Sequence, residues 1–210
     1  KLIERNQPIG INIGKNSDTP IELAHEDYQY CMKEIFVLAD YITLNISSPN
    51  TSRLRELHSD NFLNKFLHEI KKTHTELSKK YQKKVPLVLK ISPDIQYDDL
   101  EILCKQMLDY EIDGVIATNT TIDKNSLSDK SFHESMGGVS GKPLYKKSNT
   151  IIKDIKSMVK DDIIIIGAGG ITSKEGAVEK LNSGADLLQL YTGLVYFGLD
   201  LIREITQETT

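Results

Sequence analysis

The chain has 210 residues, 39% hydrophobic and 27% charged, with 26 basic against 30 acidic side chains and a net charge of −4. That length can bury one substantial core, and the slightly acidic balance carries no electrostatic footprint for nucleic acid. Cys31 and Cys104 are far apart in helical patterns, no apolar run reaches transmembrane length and no signal peptide opens the chain, which reads as free thiols in a reducing compartment.

The opening residues 1–7 read as the tail of a helix, so the chain is expected to continue upstream of Lys1. Residues 8–14 read as a strand with Asn12 and Gly14 near its carboxyl end. Apolar positions at helical spacing follow over 26–38. The stretch 39–50 is the most informative. Ile42, Leu44 and Ile46 share one parity and Thr43, Asn45 and Ser47 the other, the alternation of a strand with one apolar face. It ends in Asn45, Ser47, Ser48 and Asn50, a crowd of uncharged donors and acceptors. Pro49 restricts Ser48 to extended conformations and so stiffens the turn.

An amphipathic helix is predicted from Asn61 through Leu77, with a lysine-rich tail at a solvated end. A strand over 85–91 leads to a turn at Ser92–Asp94 and a helix to about Asp109. Residues 112–118 form the next strand, closed by Asn119, Thr120 and Thr121. The polar segment 123–136 is long for a strand-to-helix connection, which points to a functional loop. It ends in the glycine-rich run 137–141. A helix over 145–159, a fully apolar strand over 163–166 and the glycine run 167–170 come next. Thr172 and Glu175 stand in capping-box spacing for the helix after it. Residues 185–191 are the last strand, and 199–206 the last helix.

Strand and helix alternate about six times without a break in composition, which demands parallel strands with crossover helices. Polar residues and glycines close nearly every strand, as in a barrel whose strand ends share one site. The reading is an α/β (β/α)8 TIM barrel whose first two βα units lie upstream of this chain; a doubly wound sheet is the alternative.

Lys90 shares parity with Val88, so it points into the barrel at a strand's carboxyl end, where lysine is rare without a partner. It suits a counter-charge for an anion or a desolvated amine nucleophile. Gly167–Gly170 between strand and helix suits a phosphate, since glycines let backbone amides approach an anion and a helix amino terminus adds positive charge. Barrels often place such a site after their last two strands, which here end at Gly167–Gly170 and at Tyr191, Thr192 and Gly193. His25, His58, His68, His74 and His133 show no metal-ligand spacing and nearly all read as surface residues; no metal site is expected. No histidine lies close to Ser48 in sequence, so a hydrolytic triad is unsupported.

In family order, the segments 10–16, 45–51, 90–94, 117–121, 137–141, 166–171 and 189–191 resemble the dihydroorotate dehydrogenase family, in its class 2 quinone-dependent branch. The resemblance implies an (α/β)8 barrel, with residues 1–210 a single FMN-binding domain lacking its first two units and any N-terminal membrane-associated helices. It implies oxidation of dihydroorotate to orotate in pyrimidine biosynthesis, with hydride passing to FMN and electrons onward to a quinone. Ser48 resembles the base that takes the C5 proton; class 1 enzymes have cysteine there. Ser47 or Thr51 could pass that proton on. Asn45, Asn50, Asn119 and Thr120 look like substrate contacts. Asn12, Asn45, Lys90 and Thr118 resemble flavin contacts, and Gly141, Gly170, Tyr191 and Thr192 the phosphate end of the cofactor site. The implied location is peripheral, on the cytoplasmic side of the inner membrane in a bacterium or at the mitochondrial inner membrane in a eukaryote. Two departures stand out. The family's Pro-Gly after Asn-Thr is replaced by Ser52 and Arg53, and Thr192 stands where serine is common. The residues alone leave open another flavin barrel acting on a pyrimidine ring, or a phosphate-binding barrel fragment without turnover.

Overall fold

A computed structural model describes residues 7–209 apart from 52, 59, 126, 128, 130, 132 and 136. The helix tail read over residues 1–7 lies almost wholly outside the described residues. Six strands, β1 (Gly10–Ile13), β2 (Tyr41–Asn45), β3 (Leu87–Lys90), β4 (Gly114–Ala117), β5 (Ile164–Ala168) and β6 (Leu187–Gln189), form one sheet in sequence order. Every neighbouring pair is parallel. Six helices follow the strands in turn: α1 (Ala24–Ile35), α2 (Asp60–Tyr81), α3 (Tyr97–Asp109), α4 (Tyr145–Val159), α5 (Lys174–Asn182) and α6 (Thr192–Thr209). The strand order never reverses, so there is no switch point and the doubly wound alternative falls. The sheet is a curled half-barrel, open at β1 and β6.

A repeated aspartate pins the register. Asp40, Asp113 and Asp186 each stand just before an even-numbered strand. Each accepts from a main-chain amide at the start of the strand before it: Ile9 at 2.7 Å, Leu87 at 2.8 Å and Ile165 at 2.7 Å. The same three residues return a backbone bond, Asp40 N to Ile9 O, Asp113 N to Leu87 O and Asp186 N to Ile165 O. Sliding a strand by one residue would break both bonds and reverse its faces.

The two faces are those the alternation predicts. Ile42, Leu44, Ile46, Leu87, Leu89 and Ile91 are buried with the helices in the main core, where Tyr28, Met32, Phe36, Leu63 and Leu67 meet them. Val88, Ile116 and Ala168 form a smaller cluster on the other face, with Tyr41 and Ile166 against it. The β1 to β3 ends and α4 fall within a few residues of expectation. β4, α1, α3 and β6 do too, and local geometry moved three other points. β5 runs on to Ala168, so Gly167 is strand rather than turn. Ser173, not Thr172, caps α5: its backbone is extended and its hydroxyl accepts from Gly176 N at 3.2 Å. α6 begins at Thr192 and bends at Gly198 (φ 65), so only the part beyond that glycine was foreseen.

Not all histidines are on the surface. His74 is buried and bonded through Nε2 to Val85 O at 2.7 Å, and His58 is buried with no partner for Nε2. Both lie on faces that also carry core leucines, which a lone histidine does not betray in sequence. Cys31 and Cys104 are free thiols. Among the described residues no helix is long and apolar enough to cross a membrane.

Candidate active site

The carboxyl ends of the strands enclose a cavity of about 440 Å³. Asn12, Thr43, Lys90, Thr118, Asn119, Thr120, Gly141, Gly170, Tyr191 and Thr192 all reach its walls. Nine of these are site residues expected from the sequence; Thr43 is new, placed there by its parity with Asn45. Asn45 joins the wall through Asn119. Ser48 and Asn50 are not among the residues that line it; they stand on the turn after β2, Asn50 exposed.

One wall is made of side chains. Asn45 Oδ1 accepts from Asn119 Nδ2 at 3.2 Å and lies 3.1 Å from Ser47 Oγ. Ser47 is fully buried and also bonds Lys90 O at 2.7 Å, so its hydroxyl is committed to the scaffold. Asn119 Oδ1 accepts from Thr120 N at 2.8 Å. Tyr28, from α1, donates to Asn45 O at 2.7 Å and fixes the end of β2 from behind. Ser48 is half-buried, and its Oγ accepts from Asn50 N at 3.3 Å. No histidine bonds it among the described residues.

That wall hangs on a hub the sequence did not reveal. Asp94, after β3, takes Arg55 Nη1 at 2.8 Å, Ile122 N at 2.9 Å, Lys147 Nζ and Thr121 Oγ1. Arg55 also donates to Ser47 O at 3.3 Å and Thr120 O at 3.1 Å. One carboxylate thus joins the Ser48 turn, the Asn119–Thr121 loop and α4. Burial pushes the Asp94 carboxyl up, but the bonds from Lys147, Thr121 and Ile122 outweigh it and hold it below the usual range. An acid followed by distant basic residues carries no local spacing, so only the fold brings these groups together. Of the Ser52–Arg53 departure, Ser52 lies outside the described residues and Arg53 follows Thr51 in this segment. Arg53 holds a left-handed backbone (φ 55), a conformation glycine adopts freely, and its guanidinium pairs with Glu56 at 2.7 Å.

The other wall is made of backbone. Gly141, Gly169 and Gly170 all have positive φ (76°, 107° and 76°). A Cβ on Gly170 would lie 2.6 Å from Tyr145 Cα, and one on Gly169 2.9 Å from Leu144 Cδ2. On Gly193 it would lie 2.1 Å from Ile171 O. The glycines let three loops close on one another, so that unobstructed main chain faces the cavity. α5 starts at Lys174, beyond the cradle, whereas α6 starts in the wall at Thr192, whose hydroxyl bonds Ser140 Oγ at 3.0 Å. The helix terminus at this site is therefore that of α6. Tyr191 is largely exposed.

Lys90 faces between the two walls. It is half-buried, its ammonium has no hydrogen bond or ion pair among the described residues, and burial lowers its pKa. An unpartnered cation beside a glycine-lined cradle fits an anionic, phosphorylated ring system. After β4, Lys124 Nζ donates to His133 O at 3.1 Å and to Ser135 O, and Thr121 pairs with Val139. No cluster of metal-ligating side chains occurs among the described residues.

A sequence profile of one protein family, Dihydroorotate dehydrogenase, matches residues 1–210. The chain belongs to the dihydroorotate dehydrogenase family. Among relatives, "Dihydroorotate dehydrogenase (quinone)" of Acinetobacter baylyi is 45% identical over 202 residues, 96% of this chain and 60% of that protein. The protein of the same description from Aliivibrio fischeri strain MJ11 is 46% identical over 197 residues, 94% and 59% of the two chains. A ligand-free crystal structure of the Eimeria tenella dihydroorotate dehydrogenase superposes with a TM-score of 0.89 at 31% identity, over 98% of this chain and 60% of that one. The chain thus spans about 60% of the length of the dihydroorotate dehydrogenases it matches.

Proposed function

We propose that the protein containing this chain oxidises (S)-dihydroorotate to orotate in pyrimidine biosynthesis, with FMN in the cavity and a quinone as final electron acceptor. The observation that carries this reading is the pairing of two walls around one unpartnered lysine: a neutral side-chain cluster on β2–β4 and a glycine cradle on β5–β6. Bound there, FMN supplies the redox chemistry, accepting the hydride lost from C6. Asn12, Asn45, Lys90 and Thr118 hold its ring, with Lys90 the nearby cation, while Gly141, Gly170, Tyr191 and Thr192 hold its phosphate.

Ser48 takes the C5 proton of a substrate whose ring and carboxylate are held by Asn45, Asn50, Asn119 and Thr120. A serine hydroxyl is a weak base at neutral pH, so the proton must move on. Ser47 is tied to Lys90 O and Asn45, which leaves Thr51 as the neighbouring hydroxyl for that transfer.

Residues 1–210 are then one FMN-binding domain of an (β/α)8 barrel whose first two units close the gap between β1 and β6. In support, Tyr191, Val195, Tyr196, Phe197 and Leu199 beside the open edge are exposed, apolar surface for such units to cover. Peripheral membrane attachment, through helices outside this chain, follows from the quinone named in the bacterial relatives. The test uses the full-length protein. FMN should copurify, and anaerobic addition of (S)-dihydroorotate should bleach its absorbance and yield one equivalent of orotate. Protein purified without flavin, or flavin that stays oxidised, would overturn the reading.

A further inference from the structure

Lys180 lies outside the cavity and outside every role assigned above, yet it is among the most deeply buried side chains of the protein, with no measurable exposure. Lysines are seldom buried unless paired with a carboxylate. This one is held by neutral groups: Asn149 Oδ1 at 2.6 Å, Ser148 Oγ at 2.9 Å and the face of the Tyr145 ring, 5.1 Å from its centroid. Neighbouring Glu179 turns instead to the Tyr145 hydroxyl, at 3.0 Å. Packing does not explain the charge. The stem alone fills the space beneath Gly167, where a Cβ would lie 2.8 Å from Lys180 Cδ, and an apolar chain could do the same.

What the ammonium touches leads to the cradle. Ser148, which accepts from Lys180, donates to Ala168 O at 2.6 Å, and Thr118 N donates to the same oxygen at 2.9 Å. That carbonyl is therefore drawn toward β4 and α4. Because a trans peptide unit is planar, its N–H, that of Gly169, points the opposite way. On the other side of the ammonium, Tyr145 carries the backbone against which Gly170 closes. Lys180 thus lies one layer behind both cradle glycines, connected to each through a single residue of α4.

Resting on the FMN reading above, we propose that Lys180 is a positioning residue for the cofactor phosphate: held by Ser148 and Asn149, its cation sets the Ala168–Gly170 turn and supplies positive charge behind it. Burial lowers its pKa to about 8, which still leaves it protonated at neutral pH. The missing counter-charge is then the phosphate on the far side of the turn.

The experiment compares FMN with riboflavin, which lacks the phosphate, by fluorescence titration of the flavin-stripped full-length protein. The parent should bind FMN more tightly. In Lys180→Met the FMN affinity should fall about ten-fold while riboflavin binding barely changes, a size expected for one charge acting through a partly buried layer. Asn149→Asp places a carboxylate against the ammonium and neutralises it without removing the stem, so it should narrow the same preference and decides the matter if Lys180→Met does not fold. An undiminished preference for FMN in Asn149→Asp, or equal losses for both flavins in Lys180→Met, would overturn the assignment. A parent protein that does not prefer FMN would instead remove the cofactor reading itself.

Discussion

The two walls of the cavity are built on opposite principles. On β2–β4 the surface is side chain, and each polar group is aimed by another: Asn119 by Asn45, Ser47 by Lys90 O, the whole turn by Arg55 and Asp94. On β5–β6 the surface is main chain, and its shape depends on what is missing, the Cβ atoms of Gly169, Gly170 and Gly193. The difference decides how each should fail. Deleting atoms from the first wall should remove chemistry and spare the fold. Adding atoms to the second should strain the fold before it touches chemistry.

Ser48→Ala tests the first half of that contrast, with the largest expected effect. Removing a general base typically costs about 10² to 10⁴-fold, and the flavin-reduction rate in the full-length protein should drop by that order. Among the described residues the Ser48 hydroxyl makes one bond, from Asn50 N, so melting temperature and orotate binding should hardly move. Single-turnover bleaching at the parent rate would make this serine only part of a turn. A large fall in melting temperature would show that the side-chain wall is structural after all.

Gly170→Val tests the second half. The added Cβ alone lies within 2.8 Å of Tyr145 N and Cα, and the backbone must keep a positive φ that valine disfavours. Overpacking and strain together should destabilise by about 3 kcal/mol, measured by urea unfolding of the flavin-free protein. Flavin loss follows from that. A variant that unfolds like the parent yet releases FMN would show that this Cβ enters the phosphate site rather than α4.

How much of this was legible follows the same division. On the side-chain wall strand parity pointed Lys90 inward and the family resemblance named Asn12, Thr118 and Asn119, and all four line the cavity. The glycine runs announced the other wall, though not the reason for it, since a sequence does not say which atom a Cβ would strike. What supports both walls was invisible. Lys180 sits in a short polar helix between Glu179 and Leu181, with nothing local to mark it as buried. Asp94, Arg55 and Lys147 are separated by tens of residues and meet only because the segments that follow β2, β3 and β4, α4 included, share one end of the sheet.

His58 offers the smallest and most specific test of that hidden support. It closes the short 3-10 segment Leu54–His58 that carries Arg55, and its ring is buried without a partner for Nε2. Burial, with Arg55 adding to it, lowers its pKa to about 4. The sign follows directly. Unfolded, the ring gains a proton near pH 6.5; folded, it resists until about 4, so between these values the unfolded chain holds more protons. The stability that depends on a neutral His58 is complete above pH 6.5 and drains away as the pH falls toward 4. From pH 7 to pH 5 the loss should be about 2 kcal/mol. His58→Gln keeps a polar group of similar length but cannot titrate, so its urea midpoint should fall by that much less over the same interval. Parallel pH profiles for parent and variant would mean that the folded ring takes its proton freely, and that the Arg55 segment opens to water long before the cavity wall it holds.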